Sequence, residues 1–306
     1  MASPSLTLFF VVEPPGYQYL ACYLAASIRQ HLDPAIELVG YCPAHRMGEV
    51  DPAAVETLRR MRCEVRPMET QGVFDPEYPH GNKIIACLQP RETGWSGFMD
   101  SDILVMAAHD IGRLMKPGHV TCSPAASIHW KPDDLWETVY GTFGMPVPGE
   151  RIRLMRDRRR PMVPYFSSGF VIFPEDHRTA QGLSFAETWM ETAQAIDKVE
   201  ALAPHRRPYL DQMTLPVAIR RAGLAWNELE ENDHFILGGK LRGKPFPAHK
   251  PITAVHYRKW EILSEAGLAD QGYEGLRAQV GVKRVRRIFD EPLPEGIPPL
   301  TGAEGG

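Results

Sequence analysis

The sequence predicts an α/β fold: a parallel sheet flanked by helices, in one domain. Three observations carry that reading. Residues 6–67 alternate strand and helix patterns in β-α-β-α-β order, which favours parallel strands joined by right-handed crossovers. A later strand pattern ends on two acids, Asp100 and Asp102, as expected where open α/β sheets bind ligands at the C-terminal ends of their strands. The chain has 306 residues, 43% hydrophobic and 24% charged, enough apolar material for a sizeable core.

Leu6 to Val12 is apolar without alternation, the pattern of a strand buried on both faces, and Glu13-Pro14-Pro15-Gly16 ends it. Tyr17 to His31 carries Leu20, Leu24 and Ile28 on one helical stripe. Ile36 to Tyr41 reads as a second strand. Pro52 to Met61 reads as a helix with Asp51 as N-cap and proline at its first position. Glu64 to Pro67 is a short third strand, Asn82 to Leu88 a helix, and Ser96 to Met99 the strand that delivers the acid pair.

Further short strands fall at Ile103 to Met106 and His119 to Cys122, and an aromatic helix at Pro132 to Phe143. Gly144 to Pro164 has four prolines and the basic run Arg151 to Arg160; it is long for an internal loop. A strand is expected at Phe170 to Phe173, and a long helix at Thr179 to Val199 with Phe185, Trp189 and Ile196 inward. Tyr209 to Arg221 is helical, with Pro216 expected to kink or end it. Leu224 to Asn227 and Thr253 to Tyr257 are late strands, and residues after Pro292 form a Pro/Gly-rich tail. The expected division is a main domain over 1–265 and a C-terminal extension over 266–306.

The bulk properties exclude several function classes. A formal net charge of −4 provides no field to recruit nucleic acid. No apolar run is long enough to span a bilayer, and the N-terminus lacks the basic region of a signal peptide. Five widely spaced cysteines show no zinc or CxxC pattern, so a reduced, cytoplasmic setting is expected with the thiols as small core residues.

The acid pair is the strongest chemical signal. In an extended chain, residues i and i+2 point to the same side, so both carboxylates reach one point. Hard divalent cations take carboxylate and phosphate oxygens together, which makes such a pair a metal–diphosphate clamp. Taken alone, Asp100-Ser101-Asp102 reads better as a turn, since all three residues favour turns. Four other motifs raise the clamp reading by their order along the chain: Gly81-Asn82-Lys83 before it, then Ser167-Ser168-Gly169, then Asp211-Gln212, and last His256-Tyr257-Arg258-Lys259-Trp260.

This ordered set resembles the GT-A-fold, metal-dependent glycosyltransferases of the glycogenin and bacterial lipopolysaccharide type, over roughly Leu6 to Trp260. The resemblance implies a single GT-A-like, Rossmann-type domain with a mostly parallel mixed sheet flanked by helices. It implies transfer of a sugar, hexosyl in type, from a nucleotide-sugar donor such as a UDP-sugar to a glycan, lipid-linked or protein acceptor. Asp100, Asp102 and His256 would hold Mn2+ or Mg2+, with Asp100 also near the ribose. Imidazole favours Mn2+ over Mg2+. Lys83 would face the donor nucleotide or its diphosphate, with Arg91 a lesser candidate, and Lys259 or its neighbour Arg258 the leaving diphosphate. Ser168 and Gly169 would lie beside the donor sugar, and Asp211 and Gln212 at the reacting centre.

Each residue also has a plain structural reading: His256 a core histidine, Lys83 a solvated helix lysine, Asp211 an N-cap, Ser167-Ser168-Gly169 a turn. Glu13, at the end of the first strand, is placed to accept hydrogen bonds from ribose hydroxyls, or is a solvent-exposed strand end. The run at 151–160 is solvated loop charge or a contact for an anionic acceptor or a membrane surface. Two other functions remain open: a sugar-nucleotide nucleotidyltransferase, whose Gly-rich loop after the first strand is absent here, and an inactive nucleotide- or glycan-binding scaffold. If transfer inverts configuration, a carboxylate must serve as base. If it retains, none is required. Asp211 is the residue to test in either case.

Overall fold

The computed structural model describes residues 5–128, 133–155, 161–238 and 251–293. The alternating opening folds as its patterns require: β1 (Leu6–Val11), α1 (Tyr17–His31), β2 (Glu37–Pro43), α2 (Pro52–Arg60) and β3 (Cys63–Met68). Asp51 caps α2, accepting from the Ala53 amide at 2.8 Å. α3 (Asn82–Leu88) then leads to β4 (Trp95–Met99) and β5 (Ile103–Val105). β6 (His119–Pro124), α4 (Asp133–Gly141), β7 (Phe166–Pro174), α5 (Phe185–Asp197), α6 (Ala203–Arg206), α7 (Leu210–Arg221) and β8 (Ala225–Glu228) follow. The last elements are β9 (Phe235–Ile236), β10 (Ala254–His256), α8 (Trp260–Glu265) and α9 (Ala269–Val280).

Seven strands form the main sheet in the order β3-β2-β1-β4-β7-β6-β8, and β7 alone runs against the rest. The sheet is therefore mostly parallel and mixed, with helices on both faces. One core layer joins α1, α2 and α9 to the sheet; the other packs α3, α5 and α7 on the opposite face. Phe185, Trp189 and Ile196 point inward and are fully buried. A small second sheet, β5-β10-β9, sits beyond the C-terminal end of β4.

Three local expectations change. α7 does not end at Pro216, because its neighbours Leu215, Val217 and Ala218 are fully buried against α5 and β7. Packing on two elements outweighs one lost backbone hydrogen bond. The helix expected from Thr179 starts only at Phe185. Gly182 at φ +84° breaks the preceding chain, and Ser184 and Glu187 form a reciprocal capping box. β7 begins at Phe166, so Ser167-Ser168-Gly169 is strand and not a turn. Within 144–164 the described residues hold one pairing, Ile152 with Met162; Arg156 to Arg160 lie outside the described residues.

α9 was not legible as a core element. It lies along α1, burying Leu276 and Val280, and a Cβ at Gly275 would stand 2.8 Å from Gln30 Oε1. Beyond α9, Val285 and Ile288 are buried in the same layer. All five cysteines are buried free thiols. Among the described residues no helix is long and apolar enough to cross a membrane.

Candidate functional site

The site forms where the C-terminal ends of β1 and β4 meet the N-terminal end of β7. Asp100-Ser101-Asp102 is a turn and also a convergence of carboxylates. The Ile103 amide donates back to the Asp100 carbonyl at 3.0 Å, and the Ser101 hydroxyl donates to the Val11 carbonyl. Strand alternation is therefore not what aligns the two acids; a tight turn between β4 and β5 is. β10 pairs antiparallel with β5, setting His256 opposite Ile103, and the Tyr257 amide donates to the Asp102 carbonyl at 2.9 Å. His256 Nε2 then lies 3.1 Å from Asp102 Oδ1 and 3.8 Å from Asp100 Oδ2.

One ligand atom from each of Asp100, Asp102 and His256 falls within 4.8 Å of the others. Two carboxylates and an imidazole suit Mn2+ well and Mg2+ less well. The far ring nitrogen of His256, Nδ1, is 3.1 Å from His234 Nε2, so the ring turns Nε2 toward the acids. The residues present fit a divalent cation. Burial works against the Asp102 carboxylate, but His256 and then Lys83 hold its pKa below the ordinary range.

Gly169 makes room for this arrangement. A Cβ there would stand 2.8 Å from Asp100 Oδ2 and 2.9 Å from His256 Cε1, while the Gly169 carbonyl accepts from the Asp100 amide at 2.7 Å. Gly169→Ala is expected to cost about 1–3 kcal/mol of stability through overpacking and to weaken Mn2+ binding by pushing Asp100 and His256 apart. Urea unfolding and Mn2+ titration of the variant check this; unchanged Mn2+ affinity would contradict it.

Lys83, from the second position of α3, is not a solvated lysine. Its Nζ lies 3.0 Å from Asp100 Oδ1, 3.3 Å from Asp211 Oδ2 and 3.2 Å from Ser168 Oγ. Burial opposes its charge, but Asp100 and Asp211 outweigh that and hold its pKa well above the usual lysine value. Asp211 is buried in the first turn of α7, where Tyr209 and not Asp211 is the N-cap. Tyr78 donates to its Oδ1 at 2.6 Å and Ser168 to its Oδ2. Burial would raise the Asp211 pKa; Lys83, Ser168 and Tyr78 together keep it low. Its oxygens are thus occupied in holding Lys83 and Ser168.

Other candidates lie farther out. Glu13 accepts from Arg46 at 2.8 Å and from Asn82 at 3.2 Å, so it is a tethered strand end facing the same cleft as Asn82 and Lys83. Gln212 accepts from Tyr165 at 3.0 Å. Lys259 is exposed and opens α8; its ammonium makes no ion pair or hydrogen bond among the described residues. The expected strand alternation across 256–260 does not hold, because β10 stops at His256 and Arg258 takes φ +62°. Burial pushes the Tyr165 pKa up and the His234 pKa down, and Arg258 is close enough to exert a small downward pull on each.

Arg91 is not near the acids. It sits at the opposite end of β4, bonded to Ser96 at 2.6 Å and Glu175 at 2.8 Å and stacked 4.2 Å over Phe9.

Sequence reasoning missed Tyr17, Tyr78, Ser123 and His234. Tyr17 is half-exposed beside the cleft. Its pKa is raised by burial first and by Asp102 and Asp100 next. Only its position after the Glu13 loop could have flagged it. No local pattern marks the other three.

A parallel-rich sheet with an acidic turn at its C-terminal edge, faced by a late histidine, defines a GT-A-type glycosyltransferase. The chain belongs to the Rhodobacterales glycosyltransferase domain family, whose model it matches over residues 8–223. No curated protein matches the sequence.

Among solved structures, the fold is similar to galactosyltransferase LgtC in complex with donor and acceptor sugar analogs (TM-score 0.54, 13% identity, 89% of this chain and 95% of that one). It is similar to mouse xyloside xylosyltransferase 1 (TM-score 0.51, 13% identity, 82% and 97%). It also resembles the bifunctional glycosyltransferase WbbM (TM-score 0.53, 13% identity, 94% of this chain and 51% of that one). The protein is a glycosyltransferase enzyme that transfers a sugar.

Proposed function

We propose that this enzyme transfers a sugar from a nucleotide-sugar donor, with a UDP-sugar as the donor its family resemblance implies, to an acceptor hydroxyl. The observation that carries this reading is the convergence of Asp100, Asp102 and His256 within 4.8 Å, with the Lys83 ammonium beside them. Mn2+, or else Mg2+, held by those three residues would supply positive charge for the departing diphosphate.

The chain's own residues do the rest. Glu13, with Asn82 and Arg46 fixing it, accepts from the ribose, and Tyr17 offers an aromatic face to the base. Lys83 adds a fixed positive charge beside the clamp and is kept in place by Asp211. Ser168 and Gly169 line the sugar position, Gln212 reaches toward the reacting centre, and Lys259 or Arg258 shields the leaving diphosphate from the far side. Asp211 acts by orienting Lys83 and Ser168, since Tyr78, Ser168 and Lys83 already occupy its oxygens. The acceptor is a glycan, a lipid-linked glycan or a protein, with peripheral membrane contact allowing the second. Five buried thiols support a reducing, cytoplasmic setting.

The test is binding and hydrolysis of a nucleotide-sugar panel by the purified protein, with and without Mn2+. Metal-dependent binding of one donor, with slow hydrolysis, is the expected result. Neither metal dependence nor donor preference would overturn the reading in favour of a binding scaffold.

A further inference from the structure

We propose that His234 is a positioning residue of the metal cluster: it fixes the His256 ring and keeps a proton on its Nδ1, so that Nε2 presents a lone pair to the cation. The inference rests on the metal reading above.

His234 directly precedes β9, which runs parallel to β10, and its ring is fully buried. The two imidazoles stack, with centroids 5.1 Å apart and planes 23° apart, and His234 Nε2 lies 3.1 Å from His256 Nδ1. The other His234 nitrogen, Nδ1, lies 2.7 Å from the Ser123 hydroxyl at the end of β6. Phe170 meets the same ring edge-on, with centroids 6.4 Å apart.

Two facing ring nitrogens at that distance share one proton, and a neutral imidazole has one donor and one acceptor. A cation at Nε2 of His256 requires that nitrogen bare, which puts the proton on Nδ1. The three facing ring nitrogens then find partners. His256 Nδ1–H donates to His234 Nε2, and His234 Nδ1–H donates to Ser123 Oγ. The Ser123 hydroxyl can accept or donate, so it can take the acceptor role toward His234. Metal-binding histidines commonly need such a partner on their second nitrogen, and its loss weakens metal affinity by about 10- to 100-fold.

His234 also supplies a flat wall behind His256, so packing and hydrogen bonding must be separated. His234→Phe keeps a flat ring and removes the acceptor. His234→Gln keeps an acceptor for His256 and a donor for Ser123. The readout is Mn2+ affinity by direct titration of the metal alone, beside the thermal midpoint of the metal-free protein.

The expected result is a roughly 10- to 100-fold weaker Mn2+ affinity in His234→Phe, with His234→Gln near wild type. Equal affinity in wild type and His234→Phe would overturn the inference and leave the metal reading standing. A wild type that binds no Mn2+ overturns the metal reading, and the inference with it. Ring 15N shifts of the wild type loaded with diamagnetic Zn2+ give a check independent of any variant. A proton on Nδ1 of His256 supports the assignment, and a bare Nδ1 overturns it.

Discussion

Asp102→Asn is expected to lower kcat/KM for sugar transfer by about three orders of magnitude while the fold persists. The side chain keeps its shape, so the turn closed by Ile103 and the backbone bond from Tyr257 remain. What disappears is one of two carboxylates that converge with His256. Charge stabilisation by a bound cation is worth several kcal/mol at a departing phosphate, and each ~1.4 kcal/mol is tenfold in rate. Mn2+ affinity should fall in parallel, and the circular dichroism spectrum should not change. Activity within tenfold of wild type would remove Asp102 from the clamp.

Lys83→Met is expected to be the most destabilising single change at the site. It leaves Asp211 buried with only two neutral donors, and Asp100 without its ammonium. Removing one partner from a buried ionic network costs about 3–5 kcal/mol, because the remaining charge is uncompensated. Urea unfolding measures that loss. The double variant Lys83→Met/Asp211→Asn should recover part of it, as the stranded charge is gone. A single variant as stable as wild type would show that the network contributes nothing to folding.

The same network sets a pH dependence with a definite sign. Asp102 and Asp211 have pKa values held below their ordinary ones, so their contribution to stability is fully present above about pH 4 and is lost as the pH falls through the folded values. Lys83 is raised, so its contribution is complete below about pH 10 and fails only above its folded value. Without Lys83 the Asp211 pKa rises, and acid unfolding of Lys83→Met should begin at a higher pH than in wild type. Unfolding midpoints measured across the acid limb decide this; an unshifted limb would contradict it.

The sequence by itself determined the strand and helix order, since period and punctuation are local. Leu6 to Val12, Tyr17 to His31 and Asn82 to Leu88 need only their own residues to be read. It also determined that acids, a lysine, a Ser-Gly pair and a late histidine occur in glycosyltransferase order. The tertiary structure alone decided how they meet.

Asp100 and Asp102 converge through a turn closed by a backbone bond, and His256 reaches them only because β10 pairs antiparallel with β5 across more than a hundred residues of chain. Pro216 sits inside a helix because both flanking surfaces are buried, a fact no local signal contains. Arg91 and Lys83 look alike in sequence, yet one is locked at the far end of β4 and the other beside the acids. His234 and Ser123 carry no pattern of their own. Their place comes from strand register, which long-range packing fixes and a short window of sequence cannot express.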